Sequence, residues 1–175
     1  MIRICDNYKL CNNQVRLRYY NEYLIDNQFD IYNDAIKNTT ATFDIVEKTH
    51  EEMLDWYQHF NKTYPLFVSI ENSGVTGYCS LKQFKEKDAY KQTVELSVYI
   101  HPNHRKKGLA KALMNHAISY AKTQNHQTII SCITSGNEVS EHLHSSLGFE
   151  KVGHFKKVGM KFNEWLDISY YQLML

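Results

Sequence analysis

The chain has 175 residues, 43% hydrophobic and 22% charged, with a formal net charge of +1; a chain of this length can bury a core without covalent staples. A near-neutral protein has no global field to draw in nucleic acid, and no apolar run is long enough for a membrane span or a leader-type segment, the start Met1-Ile2-Arg3-Ile4-Cys5 included. Cys5, Cys11, Cys79 and Cys132 lie far apart with no C-x-x-C pair, which argues against a zinc site and against a disulfide framework. The expectation is one cytoplasmic domain over residues 1–175, its cysteines reduced and mostly buried, with no metal and no nucleic-acid or membrane partner.

Taken in chain order, Ile2 to Cys5 reads as a short strand, and the tyrosine-rich stretch after it is expected to hold a helix between about Asn13 and Lys37. Thr49-His50-Glu51-Glu52 fits a capping box, in which hydroxyl and carboxylate satisfy each other's free N–H groups at a helix start. That helix is expected to reach about Asn61. Leu66 to Ile70 and Val75 to Leu81, joined through Asn72-Ser73-Gly74, read as an antiparallel hairpin. Val94 to Ile100 alternates, with Val94, Leu96, Val98 and Ile100 on one face and Glu95, Ser97 and Tyr99 on the other.

Gly108 to Gln124 carries Leu109, Ala112, Leu113, Ala117, Ile118 and Ala121 at helical spacing. Thr128 to Thr134 is a β-branched strand. Asn137 can cap a helix with a stripe of Val139, Leu143 and Leu147, ended by Gly148. Strands near Glu150 to Val158 and Ile168 to Leu173 complete an α/β pattern.

The turn His104-Arg105-Lys106-Lys107-Gly108-Leu109-Ala110-Lys111 leads from the alternating strand into the long helix, so backbone N–H groups and the positive end of a helix dipole converge on it. An anion, most naturally a phosphate, fits there. On the strand alone, Glu95 reads either as a solvated carboxylate or as a proton acceptor beside that anion site. His144 reads either as an ordinary helix histidine or as a second titrating group.

The strand and turn together resemble the GNAT superfamily of acetyl-CoA-dependent N-acetyltransferases, whose signature R-x-x-G-x-A is met by Arg105, Gly108 and Ala110. Further matches run to the C-terminus: Ile31-Tyr32-Asn33, Thr42-Phe43, Tyr64-Pro65, Gly77-Tyr78, Ala89-Tyr90, Leu143-His144, Leu147-Gly148-Phe149, Val158-Gly159-Met160-Lys161-Phe162 and Trp165-Leu166-Asp167. In that order they resemble the phosphinothricin N-acetyltransferase branch.

The resemblance implies an α/β GNAT fold: a mixed, twisted central sheet flanked by helices, with a splayed central strand pair. It implies acetyl-CoA as cosubstrate, bound by backbone groups of Val98, Tyr99 and Ile100, by Arg105, Lys106, Lys107, Gly108, Leu109, Ala110 and Lys111 around the pyrophosphate, and by Asn137. It implies Glu95 and His144 as catalytic groups, Glu95 taking the proton of an incoming amine. Acceptors would be amino acids or analogues such as phosphinothricin, methionine sulfoximine and methionine sulfone. Lys85, Lys87 and Tyr90 are candidates to contact them, either lysine reading equally as a solvated loop residue, and Phe43, Tyr64 and Trp165 read either as acceptor wall or as core or interface.

A homodimer is implied as well. Two departures stand out: Lys87, where related enzymes usually carry an arginine that can grip an anion with two bonds, and a longer N-terminal region. The competing readings are a GNAT enzyme for protein N-termini or polyamines, and a noncatalytic acyl-CoA sensor, which would need no carboxylate at Glu95.

Overall fold

A computed structural model describes residues 8–9, 16–19, 25–71 and 74–175. The described strands are β1 (Tyr8–Lys9), β2 (Arg16–Tyr19), β3 (Leu66–Glu71), β4 (Gly74–Gln83), β5 (Thr93–Ile100), β6 (Thr128–Thr134), β7 (Glu150–Lys161) and β8 (Glu164–Met174). They form one mixed sheet in the order β1-β2-β3-β4-β5-β6-β8-β7. Neighbours are antiparallel except β5 and β6. The helices are α1 (Ile25–Asn38), α2 (His50–Gln58), α3 (Leu109–Thr123) and α4 (Glu138–Ser146).

The expected strand at Ile2 to Cys5 and the Asn72-Ser73 turn lie outside the described residues. Of the helix expected between about Asn13 and Lys37, the described residues show α1 over Ile25–Asn38. Before it, Arg16-Leu17-Arg18-Tyr19 is a strand laid against β3, Arg16 opposite Ile70 and Tyr19 opposite Phe67. An exposed sheet edge therefore outweighs the weak helical pattern there. The capping box forms as expected, Glu52 N donating to Thr49 Oγ1 at 3.2 Å and Thr49 N to Glu52 Oε2 at 2.7 Å, but α2 stops at Gln58 rather than Asn61.

Two cores clamp the sheet. On one face α3 buries Leu113, Met114, Ala117 and Ala121 against Cys79, Leu81, Val94 and Leu96. On the other, Ile31 of α1 with Met53 and Tyr57 of α2 covers Leu66, Val68 and Tyr78. The alternation of β5 is realised: Val94, Leu96, Val98 and Ile100 join the α3 side, while Tyr99 packs with the α1–α2 cluster. Val139 departs from the expected stripe of α4, being 81% exposed, and His144 is the buried residue of that helix instead.

The sheet parts at its one parallel pair. β5 and β6 pair only from Thr93–Glu95 to Thr128–Ile130, although β5 continues to Ile100 and β6 keeps pairing with β8 as far as Thr134 opposite Ile168. The central strands thus splay. At the far edge, β7 and β8 turn over Phe162 and Asn163, both at positive φ (53° and 61°), the backbone that a tight two-residue hairpin demands.

Candidate active site

The splay opens a cleft of about 780 Å³ that passes through the sheet, within the size range of cofactor pockets. Leu96, Val98, Leu109, Ile133, Leu143 and His144 line it on the α3–α4 side; Ile31, Thr39, Thr40, Ala41, Tyr99 and Cys132 line it on the α1 side. A guest on one face can therefore meet a second guest arriving from the other.

The β5 wall offers backbone rather than side chains. Ser131 Oγ donates to the Leu96 carbonyl at 3.2 Å, so that carbonyl faces β6. In a strand the N–H and C=O of one residue point to the same side and alternate between neighbours. Val98 and Ile100 accordingly present theirs to the opening, while the amide of Tyr99 turns to its β4 partner Tyr78. Tyr99 contributes its ring, packed 5.4 Å from Tyr32 and 5.2 Å from Tyr78.

At the mouth, Lys106 (φ 61°) and Gly108 (φ 77°) bend the chain through left-handed conformations, and Gly108 supplies that geometry without strain as the N-cap of α3. The first bond back into the helix is Ala112 N to Gly108 O at 3.0 Å. The preceding N–H groups of the first turn have no intrahelical acceptor and aim at the cleft, an arrangement suited to phosphate.

Arg105, Lys106, Gly108, Leu109, Ala110, Lys111 and Asn137 line the opening. Lys107 does not. Its Nζ turns to Glu71 Oε2 at 3.6 Å, where His104 Nδ1 also sits at 2.9 Å. Arg105 is steadied by Asp34, 3.8 Å away, and its Nε donates to Ile100 O at 3.4 Å.

Glu95 occupies the last paired rung before the splay, opposite Ile130 on one side and Lys82 on the other. Burial raises its carboxyl above the usual range, and the neighbouring Lys82 pulls in the opposite direction. Its charge is also felt by Tyr99, Cys132 and Tyr170. Lys82 Nζ rests over the Trp56 ring of α2, 4.6 Å from its centroid.

His144 is 3% exposed, held edge-on to Phe149 at 5.1 Å. Its Nδ1 lies 2.8 Å from Ser140 O. A carbonyl only accepts, so Nδ1 carries the hydrogen and Nε2 of the neutral ring is an acceptor. Burial holds the ring below the usual imidazole range, the Ser140 carbonyl countering in part. Asn137 caps α4, accepting from Ser140 N at 3.2 Å.

The connection between α1 and α2 straps the acceptor face. Three successive carbonyls are taken by three strands: Thr134 Oγ1 of β6 donates to Thr40 O, Tyr99 OH of β5 to Ala41 O, and Lys161 Nζ of β7 to Thr42 O at 2.8 Å. Tyr32 OH donates to Asp44 Oδ2 at 2.8 Å, and burial first, the Asp44 neighbour also contributing, pushes its phenol up to about 12. Asn33 closes the strap by bonding both the carbonyl and the N–H of Lys48, at 3.0 and 2.9 Å. Phe43 lies on Gly159 of β7, where a Cβ would run into its ring.

The other residues expected at the acceptor are not brought together. Lys85 Nζ sits over Phe84 and Tyr90, at 5.2 and 5.4 Å, in the connection from β4 to β5. Lys87 precedes the short 3-10 turn Asp88–Tyr90 there. None of Phe43, Lys85, Lys87 and Tyr90 lines the cleft, and Glu95 stands just outside its lining, next to Leu96, which does line it. Tyr64 joins the core under α3, stacked on His126, and Trp165 is exposed on the β7–β8 hairpin. The sequence assigns no site role to Lys82, Trp56 or Thr134, and Lys161 stands out there only within the matching stretch Val158 to Phe162; the signal available for Lys82 is the β4–β5 register that sets it opposite Glu95. Among the described residues no group of three or more His, Cys, Asp or Glu could hold a metal.

An opening with strand amides along one wall and the free N–H groups of a helix start at its mouth suits an elongated guest with amides in its arm and phosphates at its end. Acylated coenzyme A has that make-up, and the fold and cleft define an acyl-CoA-dependent transferase. Comparison with known proteins narrows this class. The acetyltransferase (GNAT) domain family matches residues 17–169. The L-amino acid N-acyltransferase MnaT of Escherichia coli is 37% identical over 147 residues, 83% of this chain and 86% of that protein. The L-methionine sulfoximine/L-methionine sulfone acetyltransferase of Salmonella typhimurium is 38% identical over the same shares. The structure of yncA, a putative acetyltransferase from Salmonella typhimurium with its cofactor acetyl-CoA, superposes with a TM-score of 0.89 at 35% identity, covering 93% of this chain and 95% of that one. The chain belongs to the GNAT acetyltransferase family and is an acetyl-CoA-dependent N-acetyltransferase.

Proposed function

We propose that this chain acetylates the primary amine of small amino-acid-like acceptors, of the methionine sulfoximine, methionine sulfone and phosphinothricin type, with Glu95 as the proton acceptor. The observation that carries the reading is the through-sheet cleft with Glu95 at the rung where it begins. The names of the relatives point to the same acceptor class.

In this reading the backbone of Val98 and Ile100 holds the pantetheine arm. The turn through Arg105, Lys106, Gly108, Leu109, Ala110 and Lys111 holds the pyrophosphate, while Lys107, paired to Glu71, shapes the turn from outside. Asn137, its Oδ1 engaged by the cap, offers its amide N–H to the guest. Bound there, acetyl-CoA supplies an activated acyl carbon facing the α1 side.

An amine arrives in water as ammonium and must lose a proton to become a nucleophile. Glu95, with its affinity for protons enhanced by burial, takes that proton directly or through one water. An N–H from β5 polarises the acyl oxygen as charge gathers on it. His144, a neutral ring with Nε2 as acceptor, orients a thiol or water and gives up no proton in that form. Thr39, Thr40 and Ala41 of the strap wall the acceptor side, with Phe43 beside them on Gly159; Lys85, Lys87 and Tyr90 stand outside this cleft and are not assigned to it.

The apolar surface of the β7–β8 hairpin supports a homodimer, and the reading is of one cytoplasmic domain with small-molecule partners, without nucleic acid or membrane. The test is an assay of free thiol released from acetyl-CoA with a panel of amines. Turnover with amino-acid analogues supports the proposal. Turnover confined to peptides or polyamines, or tight acetyl-CoA binding with no turnover, overturns it.

A further inference from the structure

Glu95 has an unusual cross-strand partner. Lys82 and Glu95 stand opposite each other in the antiparallel pair of β4 and β5, so their side chains leave the same face with Cβ atoms about 5 Å apart. A lysine so placed ordinarily folds onto the carboxylate. Here its ammonium lies over aromatic rings of α2 and its exit, 4.6 Å from the Trp56 centroid and 5.7 Å from that of Phe60. Those rings are themselves held: Trp56 packs edge-on against Phe60 at 4.6 Å, Tyr57 at 5.0 Å and Tyr78 at 6.1 Å.

We propose that Lys82 is a positioning residue for acetyl transfer: seated on the Trp56 ring, its ammonium keeps the Glu95 carboxylate charged while leaving its oxygens free to take the proton of the amine. The proposal rests on the reading of Glu95 as proton acceptor.

The neighbours of Glu95 single out Lys82 as the source of the field. Tyr99 from β5, Cys132 from β6 and Tyr170 from β8 face it as well. All three are pushed up by burial and stay neutral across the physiological range. Asp44, in the strap, acts on Lys82 rather than on Glu95. Among the described residues, the cation is therefore the neighbour that opposes the tendency of burial to neutralise the carboxyl.

A contact ion pair would also keep Glu95 charged, but it would occupy the lone pairs that must accept the proton. A cation seated on an aromatic face, rather than in a contact ion pair, gives the field without that obstruction. The desolvation that lowers the affinity of Lys82 for its own proton is countered by Glu95 and Asp44, so the pair sustains its charges mutually.

The experiment measures kcat at saturating substrates across pH for the whole chain and for Lys82→Met, Lys82→Arg and Glu95→Gln, with acetyl-CoA affinity by calorimetry as the control for folding. In Lys82→Met the acid limb of kcat is expected to move to higher pH, a loss of roughly three- to tenfold near pH 6 that is largely recovered as pH rises. Lys82→Arg is expected to restore the limb, and acetyl-CoA affinity to stay level throughout. A Lys82→Met profile that coincides with the parent overturns the proposal while leaving Glu95 its role. Lys82→Arg behaving as Lys82→Met overturns it too, since charge would then not be the agent. Unchanged turnover in Glu95→Gln sinks the reading of the base and this inference with it.

Discussion

A carboxyl placed where burial opposes its ionisation weakens the fold once it ionises. Glu95 holds its proton more tightly folded than unfolded, so the native state is favoured most at low pH, and that contribution disappears as pH rises through the raised folded value. Glu95→Gln therefore has two expected outcomes. Turnover at neutral pH falls by roughly 10²- to 10⁴-fold with acetyl-CoA affinity nearly intact. The melting temperature rises above that of the parent at pH 7, the gap closing below the ordinary glutamate range near 4.3. Thermal melts at both pH values decide it: a melting temperature that falls at pH 7 would show that the ionised carboxylate is welcome where it sits. His144 runs the other way. Burial disfavours its charged form, so its contribution is present above the ordinary histidine value and is lost as pH falls.

Elements whose signals are local were legible in the sequence. The β-branched run Thr128–Thr134, the capping box at Thr49 and the Asn137 cap all form where residue pattern alone put them. The tight turn into α3 was equally readable, because glycine at a strand-to-helix junction supplies the left-handed backbone that the turn needs. What failed depended on partners distant in the chain. Arg16–Tyr19 becomes a strand only because β3 offers it an edge, and β7 runs through irregular pairing between Phe155 and Gly159 to Lys161 because β8 lies beside it. Tyr32, Asn33, Thr42, Phe43 and Lys161 stood in matching stretches, but the bonding of the strap could not be read from them, since its acceptors are main-chain carbonyls and its donors, Thr134, Tyr99 and Lys161, come from three strands. Lys161 is 4% exposed, and removing its ammonium leaves the Thr42 carbonyl short of a donor, at a cost of ~1–3 kcal/mol. Lys161→Met is expected to raise the KM of the acceptor amine about three- to tenfold while the KM of acetyl-CoA stays put. Steady-state kinetics with each substrate varied in turn checks this, and the reverse pattern would assign the strap to the other side of the sheet.

The molecule as a whole is uneven in its surface. Val152, Phe155, Val158, Met160, Phe162 and Trp165 are about half exposed or more, and all belong to the β7–β8 hairpin at one edge of the sheet. An apolar cluster on an edge strand invites pairing with another chain. With the homodimer proposed above, Trp165→Glu combined with Phe155→Asp is expected to convert dimer to monomer in sedimentation experiments. A parent chain that sediments as a monomer at micromolar concentration rules out this use of the hairpin.

The parting of β5 from β6 also links survival of the fold to its surroundings. Beyond Glu95 the mechanical continuity between the two halves of the sheet passes through whatever spans the gap. Addition of acetyl-CoA is expected to slow amide hydrogen exchange at Val98 and Ile100 and to stabilise the folded chain by about 2.7 kcal/mol at a hundredfold excess over Kd. Protease resistance should climb in step, so that the lifetime of the protein reports how much thioester surrounds it.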